Sequence, residues 1–185
     1  HKNCVAIGMS AGFIEPLEAS ALVLVELSAM MIADQLPANR SVMALVAKRF
    51  NKKFLYRWDR IIDFLKLHYI LTKRQDDYWR DNCEKSSIPE TLIDLVSMWR
   101  HQSPWHRDTG HIDELFPSAS FQYVLYGMGF ETLSSNTRRR SDIDAGNVAT
   151  ALFQENAKRA TQLKGSLPTN RELINKIYTY GFQKI

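Results

Sequence analysis

The chain has 185 residues with 45% hydrophobic and 11% aromatic content, which is typical of a folded globular protein. Its 24 basic and 20 acidic residues are interspersed and leave a net charge of +4, so composition alone predicts no nucleic-acid partner. The longest apolar pattern, residues 19–32, is too short to span a bilayer and contains Glu26. The two cysteines form no disulfide framework, which favours a reduced, cytoplasmic setting.

The first 35 residues predict a strand, a loop and a helix. The strand is the apolar run 4–8, and the buried helix is the apolar pattern 19–35. The loop between them contains a glycine, a proline and two carboxylates: Gly12, Glu15, Pro16 and Glu18. In α/β proteins ligands bind at joins of this kind, beyond the carboxyl end of a strand and at a helix N-terminus. This segment is therefore the first candidate for a binding site.

The rest of the chain predicts helices. Apolar residues in steps of three and four run over 41–71, which indicates one long helix or two helices joined near Asn51. Residues 77–83 form a short polar turn or helix, and residues 103–110 form a loop. Further helices are expected over 87–99, with Pro89 in the first turn, 118–128, 145–163 and 170–180, with Asn170 as N-cap.

Two other patterns in the sequence are candidate sites. Lys48, Arg49, Lys52 and Lys53 alternate with aromatic residues over 50–58, a faint version of a single-strand nucleic-acid surface. A solvated basic face with an aromatic core face is the favoured interpretation. The histidines His101, His106 and His111 do not share a helix face, so no metal site is predicted.

The start of the first helix has the chemistry of an anion site. Ala19, Ser20 and Ala21 present backbone N–H groups where the helix dipole is positive. A halide, a phosphate or the anionic edge of a reduced flavin would suit these donors. Residue types alone favour a simpler interpretation, in which Glu18 is a capping carboxylate in a structural join.

The sequence of this segment resembles a motif of a known protein family. The stretch Asn3-Cys-Val-Ala-Ile-Gly-Met-Ser-Ala-Gly-Phe-Ile-Glu-Pro-Leu-Glu-Ala-Ser-Ala21 closely resembles the second flavin-site motif of the flavin-dependent tryptophan halogenases, whose Phe-x-Glu-Pro-Leu-Glu core is specific to them. The resemblance is looser after Arg100. It implies a mainly α fold, in which residues 1–22 are the last strand-loop-helix element of an α/β FAD-binding module and residues 23–185 are a helical substrate-binding module. The substrate-module signature is carried by Leu67-His68-Tyr69, Lys73-Arg74, Asp76 and Tyr78-Trp79-Arg80.

The resemblance implies roles for individual residues. Glu18 matches a glutamate beside the substrate carbon being halogenated, where a carboxylate stabilises the cationic ring and assists loss of its proton. The backbone N–H groups of Ser20 and Ala21 match the family's chloride or bromide site, although the family usually has Ser-Thr where this chain has Ala19-Ser20. The positions that would contact the flavin are Gly8, Met9 and Leu22.

The substrate positions depart from the tryptophan-specific members. His68 and Tyr69 match two adjacent tyrosines there, and Tyr78-Trp79 matches a Phe-Trp pair that here arrives one residue early. Gln75 stands where those members have a glutamate that holds the amino-acid group. Because an α-ammonium group loses its charge partner, we expect an indole, a phenol, a pyrrole or a larger aromatic substrate rather than free tryptophan. Core packing is an equal alternative for each aromatic residue.

The resemblance also implies partners that this sequence does not contain. The family takes reduced FAD from a separate NAD(P)H-dependent flavin reductase and uses oxygen, a halide and a catalytic lysine. The lysine, the Gly-x-Gly-x-x-Gly phosphate loop and the Trp-x-Trp-x-Ile-Pro motif belong to the family's N-terminal portion. We therefore expect the C-terminal part of such an enzyme, inactive and without tight FAD binding by itself. A homodimer is left open, and a flavin monooxygenase that inserts oxygen is the other enzyme alternative.

Overall fold

A computed structural model of the chain describes residues 3–110, 114–133 and 141–182, with side chains from Ala145 onward in the last range. The chain divides into two units, residues 1–134 and residues 135–185, and each is considered by itself. None of the helices in these ranges is long and apolar enough to cross a membrane.

The described residues are mainly helical, as predicted. The first unit contains the helices α1 (Ser20–Asp34), α2 (Met43–Ile70), α3 (Asp77–Cys83), α4 (Glu90–Trp99) and α5 (Ser118–Gly127). Short 3-10 turns, Gly8–Ser10 and Lys85–Ser87, precede α1 and α4. The second unit contains α6 (Ser141–Ser166) and α7 (Asn170–Tyr180).

The predicted N-terminal strand has no partner here. Residues 4–7 carry no regular secondary structure, and Ile7 has the extended angles φ −135° and ψ 159° before the chain turns at Gly8. A strand is defined by its hydrogen bonds to a neighbouring strand. Because no described segment supplies that neighbour, the strand stays a prediction.

Helix α2 organises the first unit. It is continuous through Asn51, so the pattern over 41–71 belongs to one helix. Its buried apolar residues pack in two clusters, each buried side chain contributing about 1.5–3 kcal/mol. One cluster joins α2 to α1 through Leu24, Phe54, Ile61 and Leu65. The other joins α2 to α4 and α5 through Phe64, Leu67, Leu92, Leu95, Trp99, Phe121 and Leu125.

A buried polar contact sets how α2 meets α4. The Thr91 hydroxyl donates to both carboxylate oxygens of Asp63, at 3.0 and 2.9 Å, and Arg60 pairs with the same carboxylate at 2.8 Å. Burial raises the pKa of Asp63, while Arg60 and Thr91 oppose that rise. The three groups hold the C-terminal half of α2 in place against the start of α4.

Helix α1 is far more exposed than its apolar sequence predicts. Only Ser20, Leu24 and Ser28 are buried, at steps of four residues along one narrow stripe. Leu22 is 77% exposed and Met30 is 53% exposed. The prediction of a buried helix is therefore wrong for the described chain, because the residues that pack on α1 cover a single stripe.

The start of α7 corrects another prediction. Thr169, not Asn170, is the N-cap: its hydroxyl accepts from the Glu172 N–H at 3.3 Å. The Glu172 carboxylate accepts in return from the Thr169 N–H at 2.8 Å, which completes a capping box. Asn170 is the first helical residue. The Thr-x-x-Glu spacing is the sequence feature that marks this start.

The loop before α1 packs closely on α2. A Cβ placed on Gly12 would lie 2.9 Å from Cζ2 of the Trp58 indole, closer than side-chain carbons approach one another. Trp58 packs against the cluster that joins α1 and α2. Glycine at position 12 therefore lets the loop lie against the helix.

We expect Gly12→Ala to lower the free energy of unfolding by about 1–3 kcal/mol, because the rigid indole must move to admit the methyl group. Gly127→Ala in α5 is the matched control, since nothing lies within 4 Å of its added Cβ. The control should be unchanged or up to about 1 kcal/mol more stable. Urea unfolding followed by tryptophan fluorescence measures both, and equal midpoints would show that the loop does not lie on Trp58.

Candidate functional site

The loop enters α1 through a left-handed residue. Ala19 occupies the N-cap position with φ 50° and ψ 24°, the one non-glycine residue with positive φ in the described part of the chain. A residue with a Cβ in this conformation costs about 1–2 kcal/mol. Backbone strain of this kind persists where the surroundings fix the chain, and it concentrates at functional sites.

The first turn of α1 has unpaired N–H donors. No side chain caps the helix, and its first turn contains no acidic residue. The N–H groups of Ser20, Ala21 and Leu22 have no acceptor within the helix, as at every α-helix start. The Ser20 side chain is buried, while Ala21 and Leu22 are exposed. The predicted anion donors are thus present, and the interpretation of Glu18 as a cap is wrong.

Glu18 contacts helix α2 instead. Its Oε1 lies 3.3 Å from Nε2 of His68, in the last turn of α2. The other ring nitrogen of His68, Nδ1, lies 2.8 Å from the Phe64 carbonyl oxygen. The Glu18 side chain remains 38% exposed and that of His68 21% exposed. The structure therefore brings together a candidate catalytic carboxylate and a predicted substrate residue.

The second loop carboxylate pairs with the next residue of α2. The Tyr69 hydroxyl donates a short hydrogen bond to Oε1 of Glu15. This hydrogen bond is the largest cause, and burial the second, of the rise in the pKa of Tyr69 to about 12. Tyr69 and His68 thus fix two carboxylates of the same loop, three residues apart in sequence.

The predicted aromatic residues form a group beside this contact. The Trp79 ring meets Tyr69 edge to face at 5.6 Å and Tyr78 at 5.3 Å. The guanidinium of Arg74 lies over the Trp79 ring at 4.8 Å and pairs with Asp76 at 3.2 Å. Tyr78 is 60% exposed, and none of the three rings belongs to either buried cluster. These rings line a surface and are not core residues.

Gln75 stands apart from the aromatic group in its contacts. It is exposed, and its Nε2 donates to the Lys73 carbonyl at 3.3 Å. Its amide is neutral, so this position offers no charge to a substrate.

Two of the three predicted flavin positions are exposed apolar side chains. Met9 is 79% exposed and Leu22 is 77% exposed. Gly8 has φ +58°, and a Cβ there would lie 3.0 Å from Val25 Cγ2. Leu22 adjoins the N–H donors of Ser20 and Ala21 in the first turn of α1, and an exposed apolar side chain can contact a flat ring. The flavin contact of Gly8, Met9 and Leu22 stays a prediction.

The other candidate patterns gain no support. Phe50 and Phe54 stack on each other at 4.5 Å in the α1–α2 contact, so these rings are not available to nucleic-acid bases. Among the described residues, no group of three or more His, Cys, Asp or Glu side chains could hold a metal ion. His111 and the Arg138–Arg140 triplet lie outside the described residues.

Sequence reasoning missed three contacts at the site. The Glu15–Tyr69 hydrogen bond joins residues 54 positions apart in the sequence. The packing of Gly12 on Trp58 also joins two distant segments, and no sequence pattern relates the two residues. The contact of Arg74 with the Trp79 ring had a sequence signal, because a basic residue stands five positions before an aromatic one.

Comparisons with known proteins agree on one family. The family model described as tryptophan halogenase matches residues 1–141. Among curated proteins, 7-chloro-L-tryptophan 6-halogenase KtzR of Kutzneria sp. (strain 744) is 29% identical over 180 residues, 95% of this chain and 33% of KtzR.

Solved structures give the same match. The structure of a tryptophan halogenase from Shewanella frigidimarina NCIMB 400 superposes with a TM-score of 0.90 at 49% identity, over 100% of this chain and 35% of that one. BrvH, a flavin-dependent halogenase from Brevundimonas sp. BAL3, has a TM-score of 0.78 at 28% identity, over 96% of this chain and 35% of BrvH. The chain thus spans about a third of the length of these proteins.

We expect Glu15→Gln to lower the pKa of Tyr69 from about 12 toward its ordinary 10.0, because the hydrogen bond to the carboxylate is the largest cause of the rise. A folded-state pKa above the unfolded value adds stability that is present below pH 10 and is lost as the pH rises through about 12. Phenolate absorbance of the wild type minus Tyr69→Phe isolates this group. The same difference in the Glu15→Gln background should shift to lower pH, and an unmoved curve would contradict the pair.

Proposed function

This chain belongs to the tryptophan halogenase family, and on that premise we propose that the protein carrying it is a flavin-dependent halogenase of aromatic compounds with Glu18 as its catalytic carboxylate. The observation that carries the proposal is the position of Glu18. Its carboxylate contacts His68 in the last turn of α2, next to Tyr69, where the aromatic group begins. Glu18 also stands two residues before Ser20, the first residue of α1. Halogenation of an aromatic ring needs a halide site, an aromatic surface and a base in one protein, and this segment supplies a candidate for each.

Glu18 would act on the ring that receives the halogen. An electrophilic halogen forms a bond to a ring carbon, and the ring becomes cationic. A carboxylate nearby stabilises that cation and accepts the proton of the same carbon, whose C–H electrons restore the aromatic ring. The partly exposed Glu18 side chain leaves room for a ring to approach.

The halide would bind at the start of α1. The N–H groups of Ser20 and Ala21 lack a capping side chain, and the helix dipole favours an anion there. Replacement of the family's usual Ser-Thr by Ala19-Ser20 leaves these backbone donors unchanged. We propose chloride or bromide as the ion.

Reduced FAD would lie against Gly8, Met9 and Leu22. When bound, reduced FAD would react with oxygen and so provide the oxidising power that the halide requires. This chain contributes an exposed apolar surface and N–H donors to that site. We propose that residues 1–22 belong to the FAD-binding module and residues 23–185 to the substrate module. Other partners of the proposed whole protein are its N-terminal portion, a separate flavin reductase and, as an open question, a second copy of the protein.

The substrate is proposed to be indole-like or phenolic and not free tryptophan. KtzR, by its name, acts on 7-chloro-L-tryptophan. In this chain Gln75 is neutral, and the two loop carboxylates are paired with His68 and Tyr69. Gln75 therefore offers no charge to an α-ammonium group, and the two loop carboxylates already contact residues of α2.

We expect Glu18→Gln to reduce halogenation by the full-length protein by about 10²–10⁴-fold, because the amide neither accepts the ring proton nor stabilises the cationic ring as a carboxylate does. Glu131→Gln, an exposed carboxylate after α5, is the matched control and should keep full activity. The assay measures halogenated product with a flavin reductase, NADH and halide. Full activity in Glu18→Gln would refute the assignment, and hydroxylated product independent of halide would identify a monooxygenase.

We expect the full-length protein to turn over indole with a kcat/KM at least about tenfold above that for tryptophan, since one lost charge-assisted hydrogen bond is worth about 1.5–3 kcal/mol. Gln75→Glu should narrow that ratio by restoring a carboxylate. Mass spectrometry of competing substrates in one reaction measures the ratio. Comparable turnover of the two compounds by the unaltered protein would contradict the substrate proposal.

A further inference from the structure

We propose that His68 is the positioning residue of Glu18: an imidazole held in one orientation by α2 fixes Oε1 of the carboxylate and aims its other oxygen at the substrate. The inference rests on the proposed function of Glu18. It gives His68 a role different from the substrate contact that the sequence predicted.

The orientation of the His68 ring is set by α2 itself. Nδ1 lies 2.8 Å from the carbonyl oxygen of Phe64, one turn earlier in the helix. A carbonyl only accepts hydrogen bonds, so Nδ1 carries a hydrogen. The Phe64 ring also meets the His68 ring at 5.1 Å and 88°, and Phe64 is 1% exposed in the core. A buried ring and a backbone carbonyl therefore hold the imidazole together.

That orientation directs Nε2 at Glu18. The contact between Nε2 and Oε1 is 3.3 Å. Because Nδ1 already carries a hydrogen, the contact is a hydrogen bond only when the pair shares one further proton. That proton belongs either to an imidazolium beside a carboxylate or to a carboxylic acid beside a neutral ring. In both states the proton lies between Nε2 and Oε1 and ties the two groups together.

The second carboxylate oxygen of Glu18, Oε2, is available to accept a proton. No described residue forms an ion pair or a hydrogen bond with Oε2. In the imidazolium–carboxylate state, Oε2 accepts the proton of the halogenated carbon: the C–H bond breaks, its electrons return to the ring, and an O–H bond forms. The proton then leaves to water. His68 keeps Oε1 throughout and so keeps Oε2 on the line of transfer.

The neighbouring groups support this division of roles. Glu15, the other carboxylate of the loop, is held by Tyr69 and does not compete for His68. Consecutive residues of α2 thus bind carboxylates three residues apart in the loop. A flexible carboxylate that moves by about 1 Å can lose on the order of a hundredfold in rate.

The test uses the full-length protein with its flavin reductase and compares His68→Phe, His68→Gln and the exposed control His101→Phe. His68→Phe keeps a ring but removes both nitrogens, and we expect kcat to fall by about tenfold to a hundredfold with the KM values for substrate and halide unchanged. His68→Gln keeps an N–H donor for Glu18 and should recover most of that loss. His101→Phe should match the wild type.

The outcomes separate this inference from the proposed function. Loss of activity in Glu18→Gln together with full kcat in His68→Phe would overturn the role of His68 and leave the halogenase proposal standing. An increase in KM with unchanged kcat would likewise overturn it and return His68 to substrate binding. Full activity in Glu18→Gln would instead overturn the proposed function.

A second measurement does not depend on turnover or on the stability of a variant. In the unaltered full-length protein labelled with ¹⁵N-histidine, the His68 ring should show hydrogen on Nδ1 and a hydrogen-bonded Nε2, either carrying a second hydrogen or accepting one from the Glu18 carboxylic acid. A ring with its hydrogen on Nε2 alone would break the Phe64 contact, and a neutral ring whose Nε2 forms no hydrogen bond would leave Glu18 unheld; either result would overturn the inference.

Discussion

The pairing of two loop carboxylates with two consecutive residues at the end of α2 determines where Glu18 lies. Glu15 accepts from Tyr69, and Glu18 faces His68, whose ring is held by the carbonyl of Phe64. Helix α2 is in turn fixed by two buried clusters and by the polar contact of its buried Asp63 with α4. The position of the candidate catalytic carboxylate is thus inherited from the helical core. A change deep in α2 would reach the site by this route, because a packed core transmits small shifts.

The helices could be predicted because their information is local. Apolar residues at steps of three and four predicted α2 and its neighbours, and the predicted helices are present. A continuous sequence motif made Glu18 and the amides of Ser20 and Ala21 the candidates for the site. The features that the sequence did not predict depend on contacts between distant segments. A strand needs a neighbour that the described chain lacks, and the exposure of α1 depends on what packs against it. The Glu15–Tyr69 pair spans 54 residues, and no periodicity relates its members.

The exposed apolar surface of α1 bears on how the proposed whole protein is organised. Leu22 and Val23 are exposed in the first turn of α1, whose N–H groups lack a side-chain cap, and Met9 is exposed in the 3-10 turn before it. An apolar surface that adjoins polar donors suits a ligand or a protein surface that covers both. The chain spans about a third of the length of its relatives, and in the proposed protein residues 1–22 belong to the FAD-binding module. In that proposal the rest of the module would cover this exposed surface.

The contact that positions Glu18 also limits how this site can select a substrate. Both ring nitrogens of His68 and the hydroxyl of Tyr69 are engaged within the protein, and Gln75 carries no charge. The groups left to select a substrate are then the rings of Tyr78 and Trp79. The Arg74 guanidinium lies over the Trp79 ring. Aromatic pairs contribute about 0.5–1.5 kcal/mol beyond the area they bury, less than a charge-assisted hydrogen bond. If the proposed function holds, such a site would discriminate by ring shape more than by charged substituents, because its polar groups already hold the proposed catalytic carboxylate.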